Sequence, residues 1–289
     1  MLAQIAADGL PVGLDRVDVI NGDTAEQPFG TGSWASRSTV VAGNAVRGAC
    51  EQVAERLIEL ASRVLDVSLD DLVLDEHGVR HRQDAEKSCS YRELVRYAGP
   101  GSPFVHADEP AGLRRRSRFT VDHMTYPYGA HVCLIEIDPG TGGVRVLGYL
   151  VAYEVGVAVN PTMIEGQLYG GIAQGIGGAL LEEFRYDESG QPQSTTFMDY
   201  LMPTAAEVPP MELAVLAEHP ASTNPLGVRG AGEGGLTAAG GCVASAVRDA
   251  LAHVAGAERD IVRLPITPAE LRARLRSTYA PGVESVADV

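Results

Sequence analysis

No two cysteines in this sequence lie close together. Cys50, Cys89, Cys133 and Cys242 are scattered, with no Cys-x-x-Cys pair. That spacing speaks against zinc or iron–sulfur ligation within the chain and fits reduced thiols in a cytoplasm. Cys133 and Cys242 sit in apolar or small-residue runs and read as inert core positions. Long apolar runs are missing too: nothing approaches the ~20 residues of a membrane span. The N-terminus has no basic segment leading into an apolar one, so it does not read as a signal peptide. Walker A and Rossmann fingerprints are absent, and so is any short-period repeat. Positive charge is scarce, with a net charge of -15, which excludes a broad nucleic-acid surface. The one dense basic run, Leu113-Arg114-Arg115-Arg116-Ser117-Arg118, reads as a solvated loop or strand edge, with a partner-docking site as the alternative.

What is present is an ordinary globular balance. The 289 residues are 45% hydrophobic and 21% charged, enough for one large domain or two medium ones. Apolar spacing predicts a helix over residues 1–8 with no capping residue before it. It also predicts a strand over 17–20 and a long amphipathic helix over 42–64. Two small strands form a hairpin around His77-Gly78, and Ser90-Tyr91-Arg92-Glu93 is a capping box for a short helix. Strands over 131–137 and 144–155 are joined by good turn chemistry at 138–143. Asn160-Pro161 offers an N-cap followed by Pro at the first helical position, leading into a helix over 162–184. A second hairpin turns at 187–190, a strand covers 211–217, a helix covers 236–252, and Thr267 caps a last helix. Strands that arrive as hairpins with helices between them indicate an α+β fold rather than repeated βαβ units. The expected division is a first α+β subdomain over 1–125 and a second over 126–289.

The 33 glycines concentrate in three stretches. Gly30 to Thr39 offers hydroxyls and backbone donors just before the long helix. Residues 163–183 place glycines repeatedly inside a helix, at about 1 kcal/mol each against alanine. Close approach of a large flat ligand or of another backbone would offset that cost, and Gln167 and Gln174 could face a heterocycle edge. The third stretch sets Glu233 among Gly230, Gly232, Gly234 and Gly235. Each stretch alone reads more simply as turns or close packing. Together, unpaired N–H groups at helix starts suit an anionic, polar-edged cofactor. Glu233 itself has two readings. One is a first-turn acid favoured by the helix dipole. The other is a partly desolvated general base that glycines leave open to ligands. A hydrolase pairing Glu233 with an acid such as Asp199 would need carboxylates across a cleft, and no spacing supports it. Among the histidines, His123 and His131 are the pair to inspect, most simply as ordinary strand or loop residues.

Taken together, Asn21-Gly22-Asp23-Thr24, Ser36-Arg37-Ser38-Thr39, Asn160-Pro161, Glu165-Gly166-Gln167, Gly170-Gly171 with Gln174-Gly175, and Arg229-Gly230-Ala231-Gly232-Glu233 resemble the molybdopterin-binding subunit of the xanthine dehydrogenase, aldehyde oxidase and carbon monoxide dehydrogenase family. The match follows the family's order over nearly the whole chain and corresponds to the C-terminal part of that subunit. The resemblance implies the C-terminal half of an α+β molybdenum-cofactor-binding domain, with hairpin-rich sheets and long Gly-rich helices. It implies molybdopterin cytosine dinucleotide with molybdenum as cofactor. Ala35, Ser36, Arg37 and Ser38 match the loop that contacts the dinucleotide part. Glu165, Gly166 and Gln167 match a contact at the helix start, and Gly232 with Glu233 match the catalytic turn. No residue is expected to ligate the metal directly. The implied activity is hydroxylation of a carbon centre with water-derived oxygen, with Glu233 as the base. Electrons would pass to Fe–S and FAD subunits, and a further chain would carry the upstream half. The non-enzymatic alternative is a truncated remnant, or a protein that holds the cofactor or a partner. Arg229 stands where the family often has Lys, and Gly234-Gly235 follow the Glu. Both features resemble the carbon monoxide dehydrogenase-like branch.

Overall fold

Helices α1 (Leu2–Gly9) and α2 (Asn44–Leu65) form where the apolar spacing predicts them. This computed structural model describes residues 1–27, 29–254 and 260–276. The chain divides into two compact units, Met1–Thr125 with Pro220–Arg229, and Tyr126–His219 with the chain from Gly230 onward. In the first unit α2 lays Leu57, Leu60 and Ala61 over a small antiparallel sheet, β1 (Leu72–Asp75), β2 (Gly78–His81) and β3 (Ser88–Ser90). Leu94 of α3 (Tyr91–Tyr97) closes that core. The capping box is formed: Glu93 N donates to Ser90 Oγ at 3.3 Å, and Ser90 N donates to Glu93 Oε2 at 2.9 Å.

Residues 17–20 are not a strand. They lie unpaired after a 3-10 turn at Leu14–Arg16, with Ile20 74% exposed. A few β-branched residues supply propensity, but a strand persists only with a ladder partner.

The boundary at 125/126 assigns residues 220–229 to the second half, yet the chain returns them to the first unit. Two buried asparagines make the join. Asn44 Nδ2 donates to Asn224 Oδ1 at 3.2 Å, and Leu226 N donates to Asn44 Oδ1 at 2.9 Å. Asn224 also bonds both backbone groups of Val228, at 2.9 and 3.2 Å. Buried amides are retained only when their partners are present, so this latch fixes the chain just ahead of the Arg229 to Glu233 run.

A second polar knot ties α2 to the excursion before residue 118. Arg63 grips Glu109 with two bonds of 2.7 and 2.6 Å, and the buried Arg56 reaches the same carboxylate at 2.8 Å. The Arg63 hydrogen bonds, with Arg56 assisting, hold the Glu109 carboxyl well below the usual carboxylate range. A group depressed on folding stabilises the fold above its unfolded pKa, about 4.3 for glutamate. That stabilisation drains away as pH falls through and below that value. Glu109→Gln should therefore lower Tm near neutral pH, and the gap to the parent should narrow steadily as pH drops from about 5 towards 3. Thermal melts of both chains across that range test this; a constant gap would discard the linkage.

In the second unit β4 (Tyr128–Ile137) and β5 (Val144–Glu154) form the expected hairpin. Its turn closes with Gly142 N donating to Asp138 O at 2.7 Å. β6 (Met211–Leu216) departs from the hairpin pattern, because it pairs with β5 in parallel. The intervening α4 (Pro161–Leu180) supplies the crossover that parallel strands need. α4 buries Leu168, Ile172 and Ile176 against the sheet, alongside Val243 of α5 (Ala239–Ala252). α6 (Pro268–Arg276) packs Leu271 and Leu275 on Val247 and Leu251, and Glu270 N donates to Thr267 Oγ1 at 3.3 Å, as the cap predicts. Residues 187–190 make a tight turn, but only one bridge, Tyr186 to Pro192, forms beside it. Among the described residues no helix is long and apolar enough to cross a membrane.

Candidate cofactor-binding and catalytic site

α4 begins where Asn160 accepts a hydrogen bond from Met163 N at 2.9 Å, with Pro161 behind it. Ile164, Leu168 and Ile172 anchor one face of the helix in the core. Glu165, Gly166 and Gln167 stand exposed on the other side. The glycines of α4 divide by what surrounds them. A Cβ on Gly171 would lie 2.8 Å from Leu236 N and 2.9 Å from Gly235 Cα, and one on Gly175 would strike Ala239. A Cβ on Gly166 or Gly170 would meet nothing within 4 Å. Close packing of another backbone thus explains two of these glycines. Gly166 and Gly170 leave an open strip beside Gln167.

The backbone that packs on α4 is the run carrying Glu233. Gly235 seats directly on the Leu168 carbonyl, leaving no room for a side chain. Glu233 O accepts from Leu236 N at 3.0 Å and Thr237 N at 3.1 Å, and Gly234 N donates to Ala231 O at 3.2 Å. These successive turns precede α5, whose first residue is Ala239 and whose first turn has no acid. Glu233 is therefore not a first-turn helix acid. It is also exposed, so flanking glycines do not by themselves desolvate its carboxylate. The reason is geometric: Gly234 and Gly235 are buried as the base of the turn, and Gly232 and Glu233 form its outward tip.

Aromatic groups that the sequence pattern did not single out form the floor of this turn. The Tyr153 ring lies under Gly234, where a Cβ would come within 2.5 Å of it, and Tyr153 Oη donates to Gly230 O at 3.4 Å. Burial, and then the charge of Glu233, push the Tyr153 phenol up. His131 contacts the backbone of Gly234, and burial holds its imidazole below the ordinary histidine range against that hydrogen bond. Its Nδ1 is 2.8 Å from Tyr149 Oη, with the rings edge to face. His131 is thus a packing and hydrogen-bonding residue under the turn, and His123 is exposed. Inward alternation along β4 and β5 is the signal that could have found Tyr149 and Tyr153 and set them beside His131. Beside them burial pushes the Cys133 thiol up to about 12 and the Cys242 thiol upward too, so both stay protonated and unreactive.

Ala35, Ser36, Arg37 and Ser38 sit in the first unit, ahead of a π-helical turn at Thr39–Gly43. Ala35 and Ser36 are both left-handed, each with φ 53°. Two consecutive non-glycine residues there cost on the order of 1–3 kcal/mol each, and such strain clusters at ligand-holding loops. Arg37 stacks over Trp34 at 4.7 Å, and Ser33 Oγ meets Ser38 Oγ at 2.5 Å. These contacts brace the loop on itself.

A family model for the molybdopterin cofactor-binding domain matches residues 1–209. The chain belongs to that family. It is 41% identical over 274 residues to the gamma subunit of the 6-hydroxypseudooxynicotine dehydrogenase complex of Paenarthrobacter nicotinovorans, covering 95% of this chain and 34% of that protein. It is 34% identical over 252 residues to the carbon monoxide dehydrogenase large chain of Afipia carboxidovorans, covering 87% and 31%. The crystal structure of quinoline 2-oxidoreductase from Pseudomonas putida 86 superposes with a TM-score of 0.84 at 34% identity, covering 96% of this chain and 35% of that one. This molybdopterin-binding α+β chain thus spans about a third of the length of the relatives it matches.

Proposed function

We propose that this chain forms one wall of the cofactor site of a molybdenum hydroxylase, with Glu233 as the base. The carrying observation is the seating of Gly235 on the Leu168 carbonyl, next to Gln167. It locks the outward Glu233 tip to the helix segment that would bear the cofactor. The residues of each unit fit part of such a group. In the second unit Gly166 and Gly170 leave a flat strip for a large heterocycle, and in the first unit the Ala35–Ser36 loop carries the left-handed backbone typical of ligand-holding loops. In this reading Ala35, Ser36, Arg37 and Ser38 hold the dinucleotide part of molybdopterin cytosine dinucleotide. Glu165, Gly166 and Gln167 orient the pterin end, and Gly232 lets substrate approach the carboxylate. When bound, the cofactor supplies the redox centre that accepts the electrons of substrate oxidation. Glu233 takes a proton onto a carboxylate oxygen as water-derived oxygen is delivered to a substrate carbon. The neutral floor of Tyr153 and His131 holds the turn without competing for that proton. Electrons leave to Fe–S and FAD subunits, a further chain completes the molybdopterin-binding subunit, and the assembly works in the cytoplasm.

The test is co-expression with the chain that completes the subunit, followed by metal and nucleotide analysis. Molybdenum and a releasable cytidine nucleotide should co-purify, with hydroxylase turnover appearing only in the complex. Full molybdenum content and turnover in the isolated chain would overturn the need for a complement. A complex free of molybdenum would leave a non-catalytic holding protein.

The open strip gives a separate prediction. Gly166→Ala and Gly170→Ala should each raise the stability of the bare chain by about 1 kcal/mol, because alanine favours helix and meets no neighbour. In the assembled enzyme the same changes should lower retained molybdenum, measured per mole of protein. Stabilisation with unchanged metal content would remove the strip from the cofactor site.

A further inference from the structure

An antiparallel sheet with water on one face alternates apolar and polar side chains. The sheet of the second unit does not. Its inward positions, among them Ile135, Val151 and Leu213, enter the core. Its outward positions are apolar as well: Val132 and Leu134 are 60% and 63% exposed, and Leu147, Leu150 and Leu216 are 38%, 39% and 41% exposed. Ala130, Ala152 and Ala214 share that face by register with their partners. A groove of about 360 Å³ crosses it, and Glu212 is the only charged residue in its lining. Single exposed apolar side chains are ordinary, but a contiguous face two-sided in its apolarity belongs to a covered sheet.

We propose that the outer face of β4–β5–β6 is the docking surface for the rest of the molybdopterin-binding subunit. This is the part that relatives carry outside the stretch matched here. The inference rests on the reading that the chain works with such a complement. Two observations favour this occupant. The matched relatives are about three times as long, and the fold persists inside the quinoline 2-oxidoreductase chain over 96% of this one. The bulk of such a subunit must therefore pack somewhere on this fold. The face also has the character of a permanent interface, with an apolar centre and charges only at its margins, such as the Glu136–Arg145 pair and Glu212. A small-molecule site would bring polar groups together within an enclosed pocket, whereas this groove is open and lined mainly by apolar side chains.

The experiment co-expresses this chain with the tagged part of the Paenarthrobacter nicotinovorans gamma subunit that lies outside the match. The unmodified chain should be recovered in a 1:1 complex, with slowed hydrogen exchange in β4. Leu134→Arg and, separately, Leu150→Glu should each cut recovery at least tenfold, while Arg145→Ala at the hairpin end keeps it. Circular dichroism melts of the free variants separate lost docking from lost folding, and the exchange measurement needs no variant. No complex with the unmodified chain would sink both this proposal and the reading that a complement is required. A complex that survives both substitutions without β4 protection would sink only the assignment of the face. A homodimer of the free chain that either substitution splits would give the face to a second copy and overturn the proposal.

Discussion

Glu233→Gln in the assembled enzyme should lower kcat by about 10²–10⁴-fold, the range for loss of a positioned general base. Molybdenum and nucleotide content should stay at parent levels. The structure separates chemistry from architecture at this position. The turn is held by the main chain, through Glu233 O to Leu236 N and Thr237 N, and by Gly234 and Gly235 beneath it. The side chain is exposed, so an isosteric amide changes stability by no more than about 0.5 kcal/mol. What glutamine cannot do is accept the proton. Turnover and metal content measured on one preparation decide the matter. Retained turnover would remove Glu233 from the mechanism, and turnover lost together with the metal would make it a cofactor-holding residue instead.

The parts of this fold legible in the sequence are those set by local chemistry. The Ser90–Glu93 capping box, the Asn160–Pro161 helix start and the 3.6-residue periodicity of α2 each depend on neighbours within a turn, and each formed where expected. The family and its α+β class were legible because several short motifs recur in one order. Long-range closure was not. Nothing near residues 211–216 specifies that β6 will run parallel to β5, since the crossover depends on how α4 packs. Nothing near Asn224 announces that its amide will pair with Asn44, 180 positions away. At the candidate site the sequence says that glycines in α4 carry a cost to be offset, but leaves ligand and backbone as equal explanations. The packing divides them: Gly171 and Gly175 face the Glu233 run and α5, and Gly166 and Gly170 face open space. Tyr153 escaped notice, and His131 read only as an ordinary strand residue, because their relation to Glu233 exists only once β4, β5 and the turn are assembled.

That assembly makes Gly235→Ala the most damaging small substitution near the site. An added methyl would press into the Leu168 carbonyl and lie 2.9 Å from Ile172 N, both of them backbone atoms inside α4. Neither can rotate aside as a side chain would. Leu168 and Ile172 are also fully buried, with 0% exposure each, so α4 cannot slide without opening the core. The turn must lift instead, carrying Glu233 away from the helix segment at Gln167. Overpacking of this kind costs about 1–3 kcal/mol, which corresponds to a Tm lower by several degrees for a chain of this size. A shift of about 1 Å at a catalytic group costs on the order of 10²-fold in rate. Gly235→Ala should therefore lose both stability and turnover, where Glu233→Gln loses turnover alone. Gly234→Ala supplies a contrast, because there the methyl meets the Tyr153 ring rather than backbone, and a ring can tilt. Melting temperature and kcat measured for all three variants distinguish the cases. If Gly235→Ala melts with the parent and turns over normally, the Glu233 turn is not locked to α4.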